Sequence, residues 1–399
     1  MSDYQLCDPV AVRLRNAAEQ GLKLAAAWTF LWLTSGEKAV AQSPSVRRGV
    51  RTIAVSPRPA CRCTLELERV VSLTDENFDL SLRTNIFVGR DATGRFLAGG
   101  TRGTVGVFAP DGRLQFAVGR AGSGPGEFRE PYALYFTRGD SVVVLDRAIR
   151  RVTVFDPKTM RVVRSFPLEG SSTNHVFALG GESLVVDGVF GGAGIGKSVH
   201  QLSATGAYVR SVSADTAIIG RQSFRMLNRA FDHAKAGFFS APNYRYRIEE
   251  WNERMELIRV FERSADWFPP LSGEVILEPP NRRPMPAQLL GFASDTLRGI
   301  LFTAIRLGAR DWSPDPRLAK SGEIALADAA LGAAGNRYVD TIFEAIRIDG
   351  RLLASTRVRG KFGSVSTARS ADGPLFWSVR ETPSGTEVLD VYKLVLSRP

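Results

Sequence analysis

Short β-strands arrive in sets along this chain, and the repetition of those sets constrains the fold more than any other feature. The clearest set spans residues 132–156, where YALYF, SVVVLD and RVTVFD follow one another across polar turns. Each run is rich in β-branched and aromatic residues, the composition of a half-buried pleated surface. Comparable sets recur at 84–118, 174–213, 229–263, 289–358 and 365–396, most followed by a fourth, more polar strand. A four-stranded sheet of this size cannot bury its own faces, so repeated small sheets must stack on one another. Six sets arranged radially predict an all-β, six-bladed β-propeller.

The glycine-rich stretch before the clearest set carries a second signal. Gly124, Pro125, Gly126, Phe128 and Pro131 precede the strands, Asp146 ends the second, and Arg151, Val152, Phe155 and Asp156 mark the third. This pattern resembles one blade of the NHL-repeat family of β-propellers, and the resemblance is confined to that blade. It implies architecture rather than activity, because propellers host both enzymes and inert scaffolds.

The last set lacks a fourth strand, while TLELERVVSL (Thr64–Leu73) is a spare strand at the other end of the propeller. Pairing the two would close the ring and remove its open edges. The expected organisation is therefore a leader over 1–41, a linker over 42–63 and a propeller over 64–399. A seventh blade would have to come from the insertions, whose proline and glycine content opposes it.

The leader has the three parts of an export signal: Arg13, Arg15 and Lys23, then the apolar run Leu24–Leu33, then Ala39-Val40-Ala41. Cleavage is expected after Ala41, delivering a secreted or periplasmic protein with no membrane span, since the apolar run is too short for one. Cys61 and Cys63 are the only cysteines beyond the leader, and a local disulfide is the expectation in an oxidising compartment.

The chain carries a net charge of +11, and the first 41 residues contribute none of it. A basic surface favours anionic partners. In a propeller the loops joining second to third strands gather on one face. In order they hold Arg102; Arg147, Arg150 and Arg151; Lys197; Arg245 and Arg247; Arg306 and Arg310; and Arg380. Guanidinium forks suit carboxylate, sulfate or phosphate. The competing expectation is that Asp146 consumes Arg150 or Arg151 in an ion pair.

Two insertions, 264–288 and 308–338, are expected on the same face, the second with a short helix from Ser321 to Gly335. Trp267, Phe268 and Trp312 offer stacking surface for a sugar or aromatic ligand; the alternative is that they pin the insertions to the body.

Catalytic signatures are sparse. Gly191, Gly196, Lys197 and Ser198 satisfy a phosphate-loop pattern, but the segment that follows alternates as a strand where a helix is needed. The resemblance to propeller lactonases implies calcium ligands, for which Asn85, Asn174, Asp187, Asp232, Asn243 and Asp295 are the candidates. His175 and His233 sit where they could reach the channel as a base or metal ligand. The leading expectation is an exported, non-catalytic propeller binding an anionic small molecule, peptide, glycan or protein on its loop-rich face, with no cofactor. A calcium-dependent hydrolase or lyase is the alternative. The export signal argues against nucleic acid as the partner.

Overall fold

The computed structural model describes residues 49–397 apart from 75–86, 100–102, 138–139, 171–174, 180–182, 189, 191–196, 213–228, 270–286, 310–338, 361, 363–364, 371–372 and 385–386. The expected leader and cleavage site, the expected helix in the second insertion, Asn85 and Asn174 lie outside the described residues. Every regular element among the described residues is a strand.

Two strands precede the first blade, β1 (Arg51–Ala54) and β2 (Thr64–Leu73). Blade one is β3 (Val88–Arg90), β4 (Phe96–Gly99), β5 (Val105–Phe108) and β6 (Leu114–Val118). Blade two is β7 (Pro131–Phe136), β8 (Val142–Asp146), β9 (Arg151–Phe155) and β10 (Val162–Pro167). Blade three is β11 (Val176–Ala178), β12 (Leu184–Val186), β13 (Val199–Leu202) and β14 (Tyr208–Val212). Blade four is β15 (Arg229–Ala234), β16 (Gly237–Pro242), β17 (Arg247–Asn252) and β18 (Leu257–Glu262). Blade five is β19 (Gln288–Asp295), β20 (Ile300–Gly308), β21 (Val339–Arg347) and β22 (Leu352–Arg359). Blade six is β23 (Val365–Ser370), β24 (Leu375–Glu381) and β25 (Glu387–Ser397), completed by β2.

Strands within each blade are antiparallel, and β2 pairs with β25 from Thr64–Ser397 to Leu73–Leu389. The six-bladed ring and its closing strand are thus as the sequence predicts. Blades six and one also join through their inner strands, where β23 and β3 pair in parallel. A polar clasp reinforces the closure. The buried carboxylate of Asp390 on β25 accepts from the Ser72 hydroxyl on β2, from Arg380 Nε on β24 at 2.6 Å and from the Tyr392 hydroxyl at 3.1 Å.

Residues 49–63, within the segment expected to be a linker, form a strap across three blades. Strand β1 adds in parallel to the outer edge of β18, from Arg51–Arg259 to Ala54–Glu262. Ser56 and Ala60 then bond the outer edge of blade five: Ser56 N–H to the Gly350 carbonyl at 2.9 Å and Ala60 N–H to the Leu352 carbonyl at 2.7 Å. Cys61 and Cys63 are disulfide-linked just before β2 begins.

Apolar side chains from facing blades form the core, with eleven large ones, including Phe128, Phe155, Phe231, Phe292 and Phe343, almost wholly excluded from water. One polar network sits among them between blades four and five. Arg263, just after β18, makes a two-point pair with Glu344 on β21, at 2.9 and 3.0 Å. Its remaining Nη1 donates to the Ser56 carbonyl of the strap at 3.1 Å. The Tyr246 hydroxyl donates to Glu344 at 2.6 Å and lies 2.8 Å from the Thr303 hydroxyl. Burial first, and the Glu344 charge second, push the Tyr246 pKa well above its ordinary value, so this phenol remains a donor.

Candidate functional site

Four alternating strands put the second-to-third loops and the inter-blade connections on one face, and the first-to-second turns on the other. Chemistry on the two faces differs.

On the loop face, most of the expected cations among the described residues are bound internally. Arg147 pairs with Glu130 and stacks on Tyr132, its guanidinium carbon 4.1 Å from the ring centre. Arg151 grips the glycine-rich loop, donating to the carbonyls of Gly124 and Glu127 at 2.6 Å each. Arg247 bridges Glu249 and Glu262 at 3.0 and 2.8 Å. Arg380 belongs to the Asp390 clasp, and its hydrogen bond to that carboxylate raises its pKa. Arg306 lies not in a loop but buried within β20, donating to Gln288. Arg245 is half-buried on the turn before β17.

Arg150 is exposed in the left-handed region (φ 48°), with a contact of 3.5 Å to the Gly170 carbonyl. Lys197 is half-exposed. Arg102, Arg310 and Trp312 fall outside the described residues. Trp267 packs against Tyr246 and Phe268, with ring centres 6.1 and 6.2 Å away.

Asp146 does not take Arg150 or Arg151. Its buried carboxylate accepts the backbone N–H groups of Arg129 (2.6 Å), Glu130 (3.2 Å) and Ile149 (3.1 Å). Three backbone donors occupy three of its four lone pairs, and the Arg151 guanidinium is taken by the glycine-rich loop instead. Asp187, at the end of β12, has the same task one blade on. It receives the His175 backbone N–H at 2.7 Å and holds His175 Nδ1 at 2.8 Å. Residues 191–196 of the phosphate-loop pattern lie outside the described residues, and β13, a strand, begins directly after Ser198.

The face with the shorter turns carries a cavity that sequence reading missed. It has a volume of about 690 Å³ and opens at the channel mouth among the first-to-second turns of blades two, five and six. Its apolar wall includes Tyr135, Phe136, Phe292 and Phe302. Asp140, Asp232, Asp295, Arg298 and Lys393 supply its charge. Asp232, half-buried on the inner strand β15, accepts the Ser294 backbone N–H at 2.5 Å, which ties blade four to blade five. Asp295 pairs with Arg298 at its own turn, at 3.7 Å.

Asp232 and Asp295 were both among the calcium candidates, so residue type alone gave a partial signal. Asp187 and Asn243 sit at strand ends on the loop face, away from them. No group of three or more His, Cys, Asp or Glu residues among the described residues is arranged to hold a metal ion.

No protein-family model matches the chain, and no curated protein matches it. Two of the solved structures that share its fold come from Bacteroides species. A protein of Bacteroides fragilis predicted to be exported is 11% identical, with a TM-score of 0.54 over 87% of this chain and all of that one. A member of the DUF4221 family from Bacteroides vulgatus is 10% identical, with a TM-score of 0.56 over 84% of this chain and 99% of that one. At such identities the likeness is one of architecture, and the chain is a six-bladed β-propeller.

Proposed function

We propose that this chain is an exported, non-catalytic binding propeller whose ligand seats at the channel mouth on the turn face. One observation carries the reading: a cavity of about 690 Å³ lined by apolar and charged residues from several blades. That volume is typical of small-molecule sites, and so is a mostly apolar wall with few polar groups. The leader over 1–41 and the likeness to a protein predicted to be exported support the location. The NHL-like blade supports a scaffold role, since its signature residues Phe128, Asp146 and Arg151 all serve the inter-blade connection.

Thermal-shift screening of a fragment and oligosaccharide set, on wild type and on Thr137→Trp and Ser370→Trp, tests the seat. These two rim positions stand on different blades, and a bulky side chain at either should abolish stabilisation. Hits that survive both substitutions would place the ligand elsewhere.

A second reading keeps an anion on the loop face, favoured by the exposure of Arg150 and half-exposure of Lys197. Retention on heparin should then fall in Arg150→Ala and Lys197→Ala, and unchanged retention rejects it.

A further inference from the structure

The charge lining the turn-face cavity has the opposite sign to the chain as a whole. The sequence carries an excess of 11 positive charges, yet the cavity lining holds three carboxylates and two cations. One of those cations is already engaged: Arg298 lies beside Asp295, donating its backbone N–H to that carboxylate at 2.9 Å and placing Nε 3.7 Å from it. Lys393, the other, is exposed on the third strand of blade six. Asp140 on the rim and Asp232 on the channel wall are the carboxylates outside the Asp295–Arg298 pair.

Asp232 is the informative residue. Its Oδ2 is fixed by the Ser294 N–H, so the carboxylate is oriented, and Oδ1 has no cation or donor among the described residues. A half-buried carboxylate with one oxygen fixed and the other open is pre-organised for a donor on the ligand. A donor on the ligand that reaches Oδ1 would form a charge-assisted hydrogen bond there. Asp140 stands at the rim in the left-handed region (φ 63°), exposed, where it extends negative potential over the entrance. Beneath these groups the wall is Tyr135, Phe136, Phe292 and Phe302. A mostly apolar wall with few polar groups favours an apolar body on the ligand.

From this juxtaposition we infer that the cavity takes a small organic cation, an ammonium or guanidinium carried on an apolar body, with Asp232 as its charge partner. The inference rests on the cavity being the ligand seat, and it opposes the anionic ligand that net charge alone suggests.

Calorimetric titration of the full chain with 2-phenylethylamine, 3-phenylpropionate and 2-phenylethanol tests it, because the three share a ring and differ in charge. The amine should bind about tenfold or more tightly than the other two. Asp232→Asn keeps an acceptor for the Ser294 N–H and removes only the charge. It should erase the amine preference and leave the melting temperature near that of wild type. A propionate that binds as tightly as the amine, or an amine preference that survives Asp232→Asn, overturns the inference. If all three probes bind alike and Ser370→Trp blocks them, the seat stands and the charge assignment falls. If no probe binds, or Ser370→Trp changes nothing, both fall.

Discussion

Arg263 and Glu344 meet as a two-point ion pair between blades four and five, at 2.9 and 3.0 Å, with both side chains almost fully withdrawn from water. The same guanidinium holds the Ser56 carbonyl, so one buried charge fixes two blades and the strap together. Removing one partner strands the other. Glu344→Gln should cost about 3–5 kcal/mol in urea unfolding, whereas Arg263→Met combined with Glu344→Leu should recover most of that loss. A single variant as stable as wild type would show that water reaches the pair.

Gly350 allows the strap to lie flat on blade five. Its φ is 93°, and an added Cβ would sit 2.5 Å from Ile53 Cγ2 and 2.8 Å from the Ala54 carbonyl oxygen. Gly350→Ala therefore has both a strained backbone and a clash. We expect about 1–3 kcal/mol of destabilisation and faster protease cleavage within 49–63. Unchanged cleavage would mean that the strap can shift without loss.

Two truncations separate strap from closure. A chain beginning at Thr64 loses β1 but keeps the β2–β25 ladder, and should fold with a lowered melting temperature. A chain beginning after Leu73 also loses the buried Leu65 and Leu73 and leaves β25 as an open edge. It should aggregate on purification. Equal solubility of the two would contradict the closure.

His200 makes stability pH-dependent. It is wholly buried, stacked on Phe190 at 4.1 Å, with Nε2–H donating to the Gly188 carbonyl at 3.1 Å. Burial lowers its pKa to about 4, against an ordinary 6.5. The unfolded chain therefore binds a proton that the folded chain refuses. The stabilisation is complete above pH 6.5 and declines as the pH falls from there to 4, by roughly 3 kcal/mol in all. Unfolding titrations at several pH values should follow this slope in wild type and flatten in His200→Gln.

The strand sets and the closing strand were legible because β-branched and aromatic runs bounded by turn residues mark strands, here continuously buried in β4, β5, β8, β13 and β16. β1 was not, because RTIA is four residues long, lies close to Pro57 and Pro59, and gains its stability from an edge more than 200 residues away. The loop cations were visible as a list, but a list of charges omits their partners. Arg147 needed Glu130 in the preceding connection, and Arg380 needed Asp390 across the hairpin. The turn-face cavity was hidden because Tyr135, Asp232 and Phe292 come from three different blades and converge only when the ring closes.

The clasp at Asp390 bears on how this protein can be assembled. Ser72 and Asp390 are 318 residues apart, so blade six has no finished edge until all five preceding blades have been made. Contacts of such separation form late and slowly. The wheel therefore locks only once β25 has been made, and a chain halted before Glu387 keeps the hydrogen-bonding edges of β2 and β24 open.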